Sequence, residues 1–261
     1  MTELELLKRV MPETAYAVNT PSFLERKVCV VLTAFNDEDA IPGAVTEFLS
    51  QKNVVKVIVV DNNSRDKTRL LAEDMGAKVV EERNQGYGFA CMRGLKEALT
   101  CEDADVIVLA EGDMSFKGKD IWKLLPFVDD VDLVVGSRTH MALNDSQMDW
   151  FYLWGNLLMA KILQLRFVNA KFFGRTRFTD VGCTMRAIKK DSLERIIGKL
   201  NIGGHHFAPH MTMMALQSGL KVVEVPVNYR RRIGISKGAG GNRVLAMKTG
   251  IRMLWNIIAP N

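Results

Sequence analysis

The stretch Val106–Phe116 reads VIVLAEGDMSF, and the interpretation of the whole chain starts from it. Its first five residues are apolar and mostly β-branched, which is typical of a strand buried on both faces. Two carboxylates, Glu111 and Asp113, follow where that strand would end. In open parallel sheets, ligands bind at the carboxyl ends of the strands. The stretch therefore predicts a buried strand that delivers two acids to a binding site.

Other apolar runs of strand length occur along the chain, separated by segments with helical spacing. In the first half they are Val28–Ala34, Val54–Val60, Ala77–Glu82 and Asp132–Ser137. This alternation is typical of βαβ units, so the sequence predicts an α/β fold with a mostly parallel central sheet and helices on both faces. In the second half we expect two more strands, one in the stretch VGCTMRAIKK and one in LKVVEVPVNY that ends at Tyr229.

Polar residues follow the predicted strands, and acids stand after three of them: Asp37, Asp61, and the pair Glu111 and Asp113. Because these strand ends lie along one edge of a parallel sheet, we expect their acids to share a cleft. Two carboxylates spaced D-x-D suit Mg²⁺ or Mn²⁺, which completes its ligand shell with water and substrate phosphates. Helix capping is the alternative reading for acids after strands, with Asp66 the strongest case.

Positive charge is concentrated in the last quarter of the chain. From residue 201 onward there are eight Lys or Arg and one acid, Glu224, although the net charge of the whole chain is only +5. The segment YRRRIGISKGAGG in that region offers Arg232, Ser236 and Lys237 as partners for a leaving diphosphate. A solvated basic turn is the alternative interpretation.

Several site classes are excluded or weakened by their missing motifs. The stretch NQGYGFACMRG has Cys91 where a dinucleotide-binding fingerprint needs its third glycine, and neither a P-loop nor a G-x-S-x-G elbow is present. A metal site built from His205, His206 and His210 stays open as a minor alternative to polar contacts at a helix start. With 48% hydrophobic and 25% charged residues, the chain has the composition of a folded globular protein, and we predict no nucleic-acid partner.

The expected location is cytoplasmic. The four cysteines lack paired spacing and are interpreted as buried, reduced thiols, and the N-terminal residues lack the apolar core of a signal peptide. The segment Trp150–Leu165 is interrupted by Lys161 and is too short to span a bilayer. This segment and the final helical pattern resemble interfacial helices, which predicts peripheral contact with anionic membranes; core packing is the alternative.

Seven stretches together carry a resemblance to a known family. They are LTAFNDEDAI, VVDNNSRDKT, NQGYGFACMRG, DADVIVLAEGDMSF, VVGSRT, TDVGCTMRAI and EVPVNYRRRIGISK. In this order they resemble the inverting family 2 glycosyltransferases, and within them the polyprenyl-phosphate, dolichyl-phosphate mannose synthase-like branch. The resemblance covers roughly residues 28–238.

The resemblance implies a GT-A fold that binds a UDP- or GDP-linked sugar together with Mg²⁺ or Mn²⁺. By position, Glu111 and Asp113 correspond to the metal motif, and Asp180 to an acid beside the acceptor pocket. It further implies catalytic roles for Asp113, Asp180 and Arg232. The implied contacts to the nucleotide sugar are Thr33, Ala34 and Asp37 at the ribose and base, Asp61 at the base, and Arg138, Arg232 and Lys237 at the diphosphate.

We expect a helical extension over residues 1–26, a catalytic domain over 27–238, and an amphipathic helix over 239–261. The predicted reaction transfers the sugar, with inversion, to a lipid phosphate. A saccharide or other hydroxyl acceptor, for which Asp180 would act as base, is the first alternative. A protein that binds sugar nucleotides without turnover is the second.

Overall fold

A computed structural model describes residues 22–139, 150–167, 177–234 and 243–258. In this part of the chain, seven strands form one sheet in the order β3-β2-β1-β4-β6-β5-β7. All neighbouring strands are parallel except β6, which is antiparallel to both β4 and β5. The strands are β1 Val28–Ala34, β2 Val54–Asp61, β3 Lys78–Glu81, β4 Val106–Glu111, β5 Leu133–Ser137, β6 Arg186–Lys189 and β7 Val222–Pro226.

Helices cover both faces of this sheet. Along β1, Cys29 and Val31 belong to one buried cluster, whereas Val30 and Leu32 belong to another on the opposite face. The helices in the described ranges are α1 Ile41–Leu49, α2 Thr68–Asp74, α3 Tyr87–Leu99, α4 Ile121–Val128, α5 Trp150–Arg166, α6 Lys190–Ile196, α7 Phe207–Gln217 and α8 Arg243–Ile258. The predicted α/β fold with a mostly parallel sheet is confirmed.

Glycines bring α3 unusually close to its neighbours. A Cβ atom at Gly94 would lie 2.3 Å from Val31 Cγ1, and one at Gly88 would lie 1.9 Å from the Ile202 carbonyl oxygen. Real Cβ atoms essentially never make such contacts, so both positions require glycine. The glycine-rich stretch that fails as a dinucleotide fingerprint is therefore explained by packing of α3 against the sheet and against the loop before α7.

Two strands of the second half are shorter than expected. Strand β7 ends at Pro226 rather than at Tyr229; its last paired residue on β5 is Ser137, whose carbonyl also accepts the Val227 N–H at 3.0 Å. Tyr229 instead forms an isolated antiparallel bridge with Phe116. Strand β6 begins only at Arg186, since the preceding residues form a turn.

The termini are described only in part. Residues 1–21 lie outside the described ranges, so the predicted N-terminal helix stays a prediction; Ser22–Leu24 form one short 3₁₀ turn. Helix α8 falls inside the predicted C-terminal helix. The proposed division into an extension, a catalytic domain and a final helix remains a prediction. All four cysteines are buried free thiols.

Candidate active site

The carboxyl ends of three parallel strands align at one edge of the sheet. The register pairs Thr33 with Glu111 and Ala34 with Asp61. Asp113 follows two residues after Glu111, and its carboxylate is almost fully buried. The fold thus brings together five of the residues predicted from sequence to line the site.

Hydrogen bonds join the loops after β1 and β2 into one wall of the site. Asn36 has a positive φ of 50°, and its Oδ1 atom accepts the Arg65 backbone N–H at 2.7 Å. The Asp37 backbone N–H donates to Thr68 Oγ1 at 2.8 Å, and the Glu38 N–H donates to Asp66 Oδ2 at 3.2 Å. Asp66 therefore ties the start of α2 to the neighbouring loop. This crosslinked wall carries the predicted base-side residue Asp37.

A sharp backbone turn presents the Asp113 carboxylate. Met114 has a positive φ of 65°, and Asp113 Oδ1 accepts the Ser115 backbone N–H at 2.9 Å. Gly112 precedes the turn at a close approach, because a Cβ there would lie 2.6 Å from Ile41 Cδ1 and 3.3 Å from the Thr33 carbonyl oxygen. The other carboxylate oxygen, Asp113 Oδ2, is buried and accepts no hydrogen bond from the described residues.

The chain after β7 runs beside this turn and pairs with it. The Arg230 N–H donates to the Ser115 carbonyl at 2.8 Å, and the Ile233 N–H donates to the Asp113 carbonyl at 3.0 Å. Arg232, between these two bonds, places one guanidinium nitrogen 3.1 Å from Asp113 Oδ2 and 3.9 Å from Asp37 Oδ1. The predicted basic partner thus lies directly against the predicted metal carboxylate.

Ionising the Glu111 carboxyl carries an electrostatic cost, because it lies in this acidic cluster. Burial and the neighbouring Asp113 carboxylate raise the pKa of Glu111 to about 8, although the Arg232 charge opposes the shift. A divalent cation would remove this cost, because an adjacent positive charge favours ionised carboxylates. In the described residues no group of three or more His, Cys, Asp or Glu side chains could hold a metal ion. Two carboxylates suit a cation that takes its remaining ligands from substrate and water, and the assignment of Glu111 and Asp113 to such a cation stays a prediction.

A second charged pair lies beside the end of β5. Asp180 is fully buried and binds the Arg138 guanidinium through both oxygens, at 2.7 and 2.8 Å, and it also accepts the Arg138 backbone N–H. Although burial opposes ionisation, Arg138 holds the pKa of Asp180 below its usual value. The guanidinium also lies over the Tyr229 ring, 5.4 Å from its centroid. The Asp180 carboxylate, which was predicted to lie beside the acceptor pocket, is thus paired with an arginine.

Glu224 on β7 orients this pair, and the sequence analysis did not identify it as a site residue. Its carboxylate accepts the Thr179 N–H at 2.9 Å, the Thr179 hydroxyl, and the Asp180 N–H at 3.1 Å. The signal that was available is a glutamate inside the apolar run VVEVP, since a half-buried acid in a strand needs partners.

The remaining predicted residues have other positions or are not described. Lys237 and Ser236 lie outside the described ranges, so their roles stay predictions. His210 is buried at the start of α7, where burial lowers its pKa and its Nε2 atom lies 3.4 Å from the Lys199 carbonyl. His205 stacks on Tyr87 with ring centroids 6.2 Å apart. These two histidines make polar and aromatic contacts around the start of α7.

Comparison with known sequences shows the family of the chain. Residues 29–197, well over half of the chain, match the family model described as Glycosyl transferase family 2. A dolichyl-phosphate hexose transferase of Haloferax volcanii is 26% identical over 211 residues, covering 80% of this chain and 86% of that protein. A polyprenol monophosphomannose synthase of Mycolicibacterium smegmatis is also 26% identical, over 227 residues and 83% of each chain.

Solved structures show the same fold at lower sequence identity. Glucosyl-3-phosphoglycerate synthase from Mycobacterium tuberculosis, in complex with Mn²⁺, UDP and phosphoglyceric acid, aligns with a TM-score of 0.66 and 17% identity over 92% of this chain and 82% of that one. The same enzyme with Mg²⁺ and UDP aligns with a TM-score of 0.63 over 91% and 81%. The chain therefore has the GT-A fold and belongs to glycosyl transferase family 2, as an enzyme that resembles the polyprenyl-phosphate and dolichyl-phosphate branch.

Proposed function

We propose that this glycosyltransferase moves a hexose, with inversion, from a nucleoside-diphosphate sugar to a polyprenyl or dolichyl phosphate. The observation that carries the proposal is the meeting of Asp37, Asp113 and Arg232 at the carboxyl ends of the parallel strands. Acids beside a cation-binding turn, opposed by an arginine, suit a diphosphate leaving group. The names of the two sequence relatives support a lipid phosphate acceptor.

Each predicted residue has a role in this reaction. Thr33, Ala34, Asp37 and Asp61 would contact the nucleoside, while Arg232 and Lys237 would neutralise the diphosphate as it leaves. Mg²⁺ or Mn²⁺, held by Glu111 and Asp113, would supply further positive charge at that diphosphate. The structural neighbours with Mn²⁺ or Mg²⁺ and UDP support such a cofactor, and the proposed donor is a UDP- or GDP-linked sugar.

The state of Asp180 favours a phosphate acceptor over a hydroxyl. A hydroxyl acceptor needs a base within hydrogen-bonding distance, and both oxygens of Asp180 are engaged by Arg138. A phosphate monoester has a second pKa of about 6, so it is already a nucleophilic anion near neutral pH. With such an acceptor the reaction requires no general base. Arg138 stays the predicted contact to the diphosphate of the donor.

Helices α5 and α8 provide a surface for the lipid. They pack together, and Arg166 donates to the Ile258 carbonyl at 2.8 Å. Trp154 on α5 is 65% exposed and Trp255 on α8 is 70% exposed. The apolar residues Trp150, Trp154 and Leu158 recur every four positions on α5, and Val244, Met247, Ile251, Trp255 and Ile258 follow helical spacing on α8. None of the described helices is long and apolar enough to cross a bilayer.

Helix α5 also links this surface to the charged pair of the site. A Cβ at Gly182 would lie 2.9 Å from Asn156 Oδ1 of α5 and 3.0 Å from the Arg138 guanidinium. Asn156 lies on the side of α5 opposite to Trp150, Trp154 and Leu158, so the helix has its exposed apolar stripe on one side and the charged pair on the other. Exposed basic residues Lys248 and Arg252 on α8 suit anionic headgroups. This arrangement supports peripheral attachment to an anionic membrane, and a cytoplasmic location stays a prediction.

The transferase activity is tested with a panel of UDP- and GDP-linked hexoses, each incubated with Mn²⁺ and extracted polyprenyl phosphate. We expect one donor to give a glycosylated lipid, and that donor to raise the melting temperature of the protein through mass action. A soluble saccharide offered in place of the lipid tests the alternative acceptor. Stabilisation by a donor without any transfer product would instead favour a sugar-nucleotide-binding protein.

Membrane attachment is tested by flotation with phosphatidylglycerol vesicles. We expect the wild-type protein to float, and the double variant Trp154→Glu/Trp255→Glu to lose about tenfold or more in partitioning, because two charges would enter the interface. Leu70→Glu is the matched control, since Leu70 is an exposed apolar residue on α2. Equal recovery of all three proteins with and without vesicles would refute the proposed surface.

A further inference from the structure

Arg232 lies beside the Asp113 carboxylate, where the predicted metal ion would bind. Its guanidinium lies 3.1 Å from Asp113 Oδ2 and 3.9 Å from Asp37 Oδ1. The Asp113 side chain is only 2% exposed, so water screens this ion pair weakly. The oxygen involved accepts no hydrogen bond from the described residues, which leaves Arg232 as its charge partner there.

Backbone contacts hold the guanidinium in this position. The Arg230 and Ile233 N–H groups, on either side of Arg232, pair with the carbonyls of the Asp113 turn. The Arg230 side chain anchors the same segment through Glu47 at 2.7 Å and the Phe116 carbonyl at 2.8 Å. The position of the Arg232 backbone therefore follows from the fold, whereas its side chain is 25% exposed.

The same carboxylate oxygen serves two cations in the proposed reaction. A divalent ion bound to Asp113 and a guanidinium at the same oxygen would repel each other at close range in a poorly screened environment. Once a donor is present, its diphosphate offers Arg232 another anionic partner. Arg232 would then bind the diphosphate, and the metal would bind the Asp113 oxygen that Arg232 leaves.

We propose that Arg232 is a built-in counter-ion that blocks the metal site in the nucleotide-free protein and is transferred to the diphosphate when metal and donor bind together. This inference rests on the proposed function and concerns the regulation of its site. It predicts that cation and nucleotide favour each other's binding, because coupling between two ligands is reciprocal. It also predicts that removing the arginine strengthens the binding of the metal alone.

The test is a Mn²⁺ titration followed by electron paramagnetic resonance, without nucleotide and then with saturating UDP or GDP. Without nucleotide, we expect Arg232→Gln to bind Mn²⁺ about tenfold more tightly than wild type, within the usual range of coupling between sites. With nucleoside diphosphate, the gain should shrink or reverse. Arg231→Gln is the matched control, because Arg231 is exposed in the same segment and its loss removes the same charge.

Each outcome decides the proposal. Three results would overturn the counter-ion role. Arg232→Gln binds Mn²⁺ no more tightly than wild type, or Arg231→Gln shows the same gain. The third is that neither wild type nor Arg232→Gln binds Mn²⁺ without nucleotide. Arg232→Met, which keeps the aliphatic stem, replaces the glutamine variant if that variant melts at a lower temperature. The proposed function fails separately, if wild type takes up no Mn²⁺ even with UDP or GDP, or glycosylates no polyprenyl phosphate.

Discussion

Replacing Asp113 by asparagine is expected to lower the rate of sugar transfer by about 10²–10³-fold, the usual effect of removing one preorganised charge contact at a leaving group. Asparagine keeps the side-chain shape, and its oxygen can still accept the Ser115 N–H that shapes the turn. It loses the negative charge that faces Arg232 and the proposed cation. The fold should therefore survive while turnover is lost.

The measurement is turnover in saturating Mn²⁺ with the donor found in the panel. Asp39→Asn is the control, because Asp39 is an exposed acid in the loop after the neighbouring strand β1 and no role is assigned to it. The metal proposal would be abandoned if Asp113→Asn kept full turnover under these conditions. An equal loss of turnover in Asp113→Asn and Asp39→Asn would indicate an effect of overall charge rather than of the Asp113 site.

Replacing Asp180 by alanine is expected to destabilise the protein by about 3–5 kcal/mol, as breaking a buried ion pair usually does. Asp180 is fully buried and the Arg138 side chain is only 14% exposed, so the variant leaves a guanidinium without its carboxylate. Three of the four hydrogen bonds that the Asp180 carboxylate accepts come from Arg138 itself. The free energy of unfolding from urea titration measures the loss.

A double variant distinguishes pair breaking from other damage. Arg138→Met/Asp180→Leu removes both charges, and replacing a buried pair by apolar residues of similar size is often neutral. We therefore expect the double variant to recover most of the lost stability while it stays inactive. A single variant within about 1 kcal/mol of wild type would mean that the pair does not stabilise the fold as its geometry indicates.

The sequence by itself determined the fold class and much of the site. Apolar runs such as Val28–Ala34 and Val106–Ala110 have the length and composition of buried parallel strands, and these features are local. Since the carboxyl ends of parallel strands share one edge, the placement of Asp61, Glu111 and Asp113 along that edge followed from the alternation of strands and helices. The family match then confirmed the class of enzyme that the motifs indicated.

Only the tertiary structure decided which charges meet. Arg232 reaches Asp113 across more than a hundred residues, through backbone pairing between two irregular segments that show no periodic pattern. Asp180, predicted beside the acceptor, is bound by Arg138 and fixed by Glu224 from the edge strand β7. Local sequence patterns report which face a side chain takes, but ion-pair partners depend on strand order and register across the sheet, which long-range packing fixes.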